Sequence, residues 1–593
     1  MRAIEYLAGG RRLASAVACI LVWLALAAAQ AHAARPNVVV IVADDVGFTD
    51  LGAYGGEART PHIDRLAERG ARFSSYHTSP LCSPSRAMLL TGVDNHRTGV
   101  ATIPEVLPAE HEGRPGYTMH LEPGVVTVAE RLRAAGYRTY MSGKWHLGQG
   151  EGDLPNSHGF DRSLALDASG ADNWEQKPYM PYYRTADWFE DGERTTLPSD
   201  FYSSELLVDR LIEYIEADAE RTEPFFAYLA FQAVHIPVQA PREFTDNYDG
   251  VYDAGWNALQ EQRWRRAQAL GLVREGAPMP AMHERMRPWE SISPDEQRLY
   301  ARSMQVHAGM LEAMDRHIGR LVAHLEARGL AENTIFLVTS DNGPEPSDPL
   351  AQAGFAQWMA LHGYTRRLAD LGERRSLVYI GPEWASATAS PGSLFKFYAS
   401  EGGLRVPLIA AGPGVAAGHR VSSFTYVTDL APTILEYAGL PVRSAEGEAP
   451  ISGRSLRAVL GGDSGPVHSD DAPVGVEVSG HAALFRGDLK ITRNMPPYGD
   501  GNWRLFDIAV DPGETSDLAA AQPELMQAML RDYDSYAKSV GVLDLPEGYD
   551  VHWQVARNTI AKQFGYYWWV LALVVATLGG LAFAISRRVS RRR

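Results

Sequence analysis

Short apolar runs that end abruptly in polar residues recur along this chain. Val38-Val39-Val40-Ile41-Val42-Ala43 is wholly apolar and largely β-branched, the pattern of a strand covered on both faces, and it stops at Asp44-Asp45. Tyr137-Arg138-Thr139-Tyr140-Met141-Ser142 leads into Gly143-Lys144-Trp145-His146. Phe225-Phe226-Ala227-Tyr228-Leu229-Ala230-Phe231 leads to His235-Ile236-Pro237, and Ile335-Phe336-Leu337-Val338-Thr339 leads into Ser340-Asp341-Asn342-Gly343. Helical patterns lie between these runs at 128–135, 206–217 and 301–329, the last closing on glycine. Strands alternating with helices predict an α/β fold with a large, mostly parallel central sheet flanked by helices. Ligands of such sheets bind beyond the carboxyl ends of the strands. All four polar clusters fall there.

Residues 244–290, charged and aromatic, are expected to wall the cleft, and residues 344–400 read as a long excursion over it. Beyond a polar linker at 442–450, the segments 474–478, 482–486, 489–493 and 503–508 predict a four-stranded antiparallel sheet closed by a helix over 523–539. The division is therefore a catalytic domain over 34–445, a C-terminal α+β subdomain over 446–545 and a linker over 546–563.

The two ends change the picture of where the protein works. Arg2, Arg11 and Arg12 precede an apolar run that exits through Ala31-His32-Ala33, so residues 1–33 read as a signal peptide. Residues 564–585 carry no charge and are long enough for a transmembrane helix, with Tyr566, Tyr567, Trp568 and Trp569 as an interfacial belt. The arginines of 586–593 form a basic tail that the positive-inside rule holds in the cytoplasm. The expected location is exported and membrane-anchored, with the catalytic domain outside the cytoplasm in a bacterial periplasm. The formal net charge is −16; the leader contributes +2 and the tail +5, leaving −23 between them. That balance argues against nucleic acid as a partner and requires local cations to draw an anionic substrate.

The candidate chemistry centres on Ser79-Pro80-Leu81-Cys82-Ser83-Pro84-Ser85-Arg86. Cys19 lies in the leader, so Cys82 is the single cysteine of the mature chain and has no disulfide partner within it. Pro84 suits the first turn of a helix. Cys82 then sits near a helix N-terminus, where the dipole stabilises an anion, with Arg86 four residues on and on the same face. A buried structural cysteine is the alternative. Three residues separate Cys82 from Arg86, too few for a tyrosine-phosphatase thiolate loop.

Asp44, Asp45 and Asp341 would bring three carboxylates together, with Asn342 adding an amide oxygen. Unpaired, they would raise one another's pKa; all-oxygen ligation suits a hard cation, Ca²⁺ before Mg²⁺. Taken singly, Asp44-Asp45 reads as a helix cap or turn and Asp341-Asn342-Gly343 as a tight turn; together, at matching strand ends, they read as a metal site. Lys144 and His146, two apart, would face one side in an extended segment. Tyrosines and tryptophans such as Trp174, Tyr179, Trp188 and Trp384 are either walls of an apolar pocket or packing.

These motifs, in this order, resemble the formylglycine-dependent sulfatases of the alkaline-phosphatase-like superfamily. They are Asp44-Asp45, Cys82-Ser83-Pro84-Ser85-Arg86, Gly143-Lys144-Trp145-His146-Leu147-Gly148, His235-Ile236-Pro237 and Ser340-Asp341-Asn342-Gly343. Lys396 to Pro407, with the tail around Leu505-Phe506-Asp507, is most similar to the bacterial arylsulfatase/alkylsulfatase branch. The resemblance implies a sandwich fold and a Cys82 oxidised by a formylglycine-generating maturation enzyme. Its hydrate would attack the sulfur of a small-molecule sulfate ester and form a covalent sulfo-enzyme intermediate. It further implies metal ligation by Asp44, Asp45, residue 82, Asp341 and Asn342. Arg86 and Lys144 would support the nucleophile, and Lys144, His235 and Lys396 would bind sulfate. His235 or Lys396 would act as acid and His146 as base. Lys396 is assigned on this resemblance alone. The alternatives are a phosphomonoester or phosphonate hydrolase of the same superfamily, and a membrane-anchored, non-catalytic binder of sulfated glycans.

Overall fold

The β-branched run forms the strand Asn37–Ala43, and its alternate residues serve two different cores. Val39 and Ile41 pack into one apolar cluster, Val38, Val40 and Val42 into another, so both faces of the sheet are covered. Burying each such side chain contributes about 1.5–3 kcal/mol. In this computed structural model, which describes residues 35–591, the strand lies in the middle of a ten-stranded sheet. Its parallel neighbours are Phe225–Ala230 and Thr334–Ser340; Arg138–Lys144 and Arg162–Leu166 continue the parallel run on one side. On the other side Leu408–Ala411 pairs antiparallel with Thr334–Ser340, and Ala71–Phe73 and His419–Val421 lie beyond it. The leader read in residues 1–33 lies outside the described residues.

Parallel pairing puts Ala43 opposite Ser340 and Val42 opposite Ala230, so the polar clusters after these strands emerge at one edge. Gly143 allows the Lys144 strand its register: at φ +123°, an added Cβ would lie 1.8 Å from the Ala230 carbonyl oxygen. One face carries the long helix Pro294–Ala327 with Ser203–Ala217; the other carries Cys82–Thr91, Val128–Ala134 and Leu430–Tyr437. The long helix starts seven residues before the hydrophobic period suggests. Ser293 and Glu296 form a capping box around Pro294 at the first helical position, and these polar residues are invisible to an apolar count.

The smaller sheet is antiparallel through Val474–Val478, His481–Arg486, Leu489–Arg493 and Trp503–Asp507, with the helix Pro523–Val540 packed on it through Met529 and Tyr533. It is riveted to the large domain by a buried network. Lys490 Nζ lies 2.9 Å from Glu401 Oε1 and 2.8 Å from Glu514 Oε1, and Glu401 Oε2 is 2.9 Å from His77 Nε2.

Residues 551–590 form one helical stretch, bent by 42° between Trp553–Val570 and Ala572–Arg588. Among the described residues no single helix is long and apolar enough to cross a membrane; the bent pair taken together has the length and composition to do so. The segment expected as a linker enters this helix at Val551 and is docked on the body. Asn558 Nδ2 donates to the carbonyls of Glu105 and Leu107 at 3.0 and 2.9 Å. On either side of the bend Trp568, Trp569, Leu573, Val575 and Leu578 are exposed.

Candidate active site

Four strand ends and one helix start meet at a single point. Ser340, the last residue of its strand, ties two of the ends together: its Oγ accepts from the Val46 amide at 2.9 Å and donates to the Asn342 carbonyl at 2.9 Å. The loop after Asp45 is folded back by Asp50, whose carboxylate accepts from the Gly47 amide at 2.7 Å and is held by Arg263 at 2.6 Å. Gly343 passes so close to the Lys396–Pro407 stretch that a Cβ there would lie 2.0 Å from the Gly402 carbonyl oxygen. Only glycine permits that approach.

Cys82 opens the helix Cys82–Thr91 and is buried, with Sγ 3.7 Å from Asp44 Oδ1. One ligand atom from each of Asp44, Asp45, Cys82 and Asp341 lies within 4.8 Å of the others. Cations ring this cluster. Arg86 reaches Asp341 Oδ2 through Nε at 2.9 Å and Nη2 at 2.7 Å, and donates to the Lys144 carbonyl at 2.9 Å. Lys144 Nζ is 2.6 Å from Asp44 Oδ2. Lys396 Nζ is 2.8 Å from both Asp45 Oδ1 and Glu345 Oε2. His235 Nδ1 donates to the Ile236 carbonyl at 2.7 Å, which turns Nε2 toward Asp45 Oδ2 at 3.8 Å. All ten residues singled out in the sequence are brought together.

One local expectation fails. His146 has φ +58°, so the chain turns out of the strand at Lys144 and does not run on extended. Trp145 is locked under that turn by its Nε1 hydrogen bond to the Asp153 carbonyl at 2.7 Å. His146 still faces the cleft, where both its ring nitrogens are buried without a hydrogen-bond partner.

The electrostatics follow from burial. Burial pushes the Cys82 thiol well up, against the pull of Lys144 and Lys396. Burial, then Lys144 and Arg86, drive His146 well below the ordinary imidazole value, so it is neutral. His235 is depressed likewise by burial, Lys396 and Lys144. Asp45 is pushed up to about 8, first by burial and then by Asp44, Glu345 and Asp341, although Lys396 opposes the rise. A hard divalent cation fits these residues: Asn342 Oδ1 is buried with no partner, Asn342 Nδ2 donates to Asp45 Oδ1 at 2.6 Å, and the carboxylates supply oxygen donors.

The cleft over this cluster, about 820 Å³ including its mouth, is walled differently from expectation. Residues 244–290 do not line it; Trp256 and Trp289 pack into the core against Trp384. Trp174 and Trp188 are likewise packing, and Tyr179 is the one of the four aromatics that reaches the cleft. Glu345 carries no signal in the sequence: after Asp341-Asn342-Gly343-Pro344 it reads as part of a turn, and only the fold shows it against Lys396.

Residues 36–440 match the family model described as Sulfatase. The chain belongs to the sulfatase family. An uncharacterized sulfatase of Schizosaccharomyces pombe is 34% identical over 538 residues, covering 88% of this chain and 96% of the relative. The arylsulfatase of Klebsiella aerogenes is 35% identical over 471 residues, covering 76% and 96%. Among solved structures, Ps i-CgsB in complex with k-i-k-neocarrahexaose shares the fold with a TM-score of 0.61 at 23% identity, over 85% of this chain and 93% of that one. This sulfatase is a sulfuric ester hydrolase, and its nucleophile candidate and acid cluster sit at the carboxyl edge of the sheet.

Proposed function

We propose that this sulfatase hydrolyses aryl or alkyl sulfate monoesters at the Cys82 cluster, after Cys82 has been oxidised to formylglycine by a maturation enzyme. One observation carries the reading. Three carboxylates and residue 82 converge on one point and are ringed by Arg86, Lys144 and Lys396. The 35%-identical arylsulfatase supports the aryl assignment. The 23%-identical neighbour with its bound oligosaccharide supports the fold alone.

Asp44, Asp45, Asp341 and the orphaned Asn342 Oδ1 would hold the cation, calcium before magnesium, beside residue 82. That ion supplies charge neutralisation and polarises oxygens bound to it. The hydrate of the modified residue supplies two hydroxyls on one carbon, one to attack sulfur and one to lose a proton when sulfate departs. The remaining work belongs to this chain's own groups. Arg86 and Lys144, held at fixed geometry by Asp341 and Asp44, keep positive charge where negative charge develops, and such fixed charge usually lowers the barrier more than any other feature of a site. Lys396 and His235 face the same cleft and bind sulfate oxygens. With Nδ1 committed to the Ile236 carbonyl, His235 offers Nε2 to the substrate; Lys396 or a His235 charged by the bound anion gives the proton to the departing oxygen. Neutral His146, with both nitrogens open, takes the proton that releases sulfate.

The same reading places the catalytic domain outside the cytoplasm, with the bent helix from Val551 as its membrane anchor and residues 1–33 as the export signal. Mass spectrometry of the peptide spanning residue 82, run with 4-nitrophenyl sulfate turnover, tests the mechanism. An aldehyde mass in active protein is expected; a plain thiol in fully active protein would overturn it. Faster turnover of 4-nitrophenyl phosphate than of the sulfate would instead favour a phosphohydrolase.

A further inference from the structure

The C-terminal helix is more than a tether. Val551, Val555, Asn558 and Lys562 recur at spacings that put them on one helical face, and that face is turned to the body of the protein. Val551 is buried in a small apolar cluster with Leu81, Ile103, Val106 and Val478, and Val555 packs against it. Both valines line the cleft that also holds Cys82, His146, His235 and Lys396. The contact is built with direction. Asn558 and Gln554 donate to the carbonyls of the 105–107 loop, the Tyr549 hydroxyl donates to the Val106 carbonyl at 2.8 Å, and Lys562 sits over the Tyr182 ring at 5.5 Å. The loop so fixed presents Ile103 to the cleft. Beside the sulfate-binding cations the lining is mostly aliphatic and aromatic, with Glu105, Ser169, Ser347 and Gln352 as its polar members, and the helix supplies one side of it.

We propose that Val551 and Val555, with Ile103, Met180, Phe355 and Phe397, form the leaving-group pocket, so that the membrane-proximal helix selects sulfate esters of apolar, alkyl-bearing phenols or alcohols. The inference rests on the sulfatase reading of the Cys82 cluster and adds the substrate class. A charged or strongly hydrated leaving group would be stripped of water against six apolar side chains with no compensating partner from them. An alkyl chain gains from the same burial, about fourfold in binding per methylene.

The test uses the full-length enzyme in detergent and 4-alkylphenyl sulfates from methyl to hexyl. Their phenols have nearly equal acidity, so the series reports the fit of the chain and not the chemistry of departure. Wild type should gain about threefold to fourfold in kcat/KM per methylene until the cleft is filled. Val555→Asp should lower the hexyl-to-methyl ratio by tenfold or more. Val555→Phe, which fills space, should move the optimum to a shorter chain, a shift that poor folding does not produce. A flat series in wild type, or a ratio and optimum that neither variant moves, would overturn this inference while leaving the sulfatase reading standing. Failure of the matured protein to hydrolyse any member would overturn the reading of the site and this inference with it.

Discussion

Lys144 Nζ lies 2.6 Å from Asp44 Oδ2, and neither side chain has any exposure to solvent. The pair bridges two parallel strand ends, and Arg86 adds a third by contacting Asp341 as well as the Lys144 carbonyl. Positive charge is thus fixed in place by buried carboxylates, which under the proposed mechanism lowers the reorganisation the reaction would need.

Removing Lys144 leaves buried Asp44 with only Arg86 Nη2, 3.5 Å away, as a charge partner. Lys144→Ala should lower kcat on 4-nitrophenyl sulfate by at least about a hundredfold. Truncating one partner of a buried pair should also cost about 3–5 kcal/mol of stability by denaturant titration. Lys144→Arg should not restore the rate, because the planar guanidinium does not fit a point-charge site. A variant within a few-fold of wild type would show that the pair has only a structural part.

Stability should fall on the alkaline side for a reason remote from catalysis. His96 is buried with Nε2 2.8 Å from Glu477 Oε2, joining the large domain to the small sheet. Burial opposes its charge, but the Asp94 carboxylate 3.5 Å from Nδ1 and the Glu477 carboxylate at Nε2 win and raise it to about 9. A histidine raised on folding stabilises fully below its unfolded value of about 6.5 and loses that contribution as pH climbs through the folded value. Thermal unfolding should therefore show a decline between about pH 6.5 and 9, on the order of 3 kcal/mol in all, that His96→Gln flattens. An unchanged profile in the variant would assign the decline to other groups.

Membrane attachment is expected to depend on the exposed half of the last helix. Full-length protein should sediment with membranes and resist alkaline carbonate extraction. Val575→Arg with Leu578→Arg places two charges in the apolar segment and should release active enzyme to the soluble fraction. Carbonate-soluble wild-type protein would rule out a spanning helix.

The strand ends were legible because both cores demand apolar residues on either face, so the acid, lysine or histidine that follows each run marks the sheet edge. Asp44, Lys144, His235 and Asp341 are of this kind. Cys82 and Arg86 were legible as one helix face. Lys396 and Glu345 were not. They lie in a 344–400 excursion with no sustained period, and their pairing depends on Gly343 and Gly402 letting two backbone segments touch. The cleft walls differ from expectation for a related reason: the tryptophans of 244–290 look the same in sequence whether they pack into a core or line a pocket. The docking of Val551 and Val555 was hidden because a stretch leading into a long apolar helix carries no mark of its landing place.

Calcium titration of chelator-stripped enzyme by calorimetry tests the central claim most directly, because it asks whether the converging acids exist to hold a cation. One ion per chain should bind in wild type, with 4-nitrophenyl sulfate turnover returning in proportion, and Asp341→Asn should weaken binding by at least about tenfold. Undiminished turnover in the stripped enzyme, or equal calcium affinity in Asp341→Asn, would contradict the account.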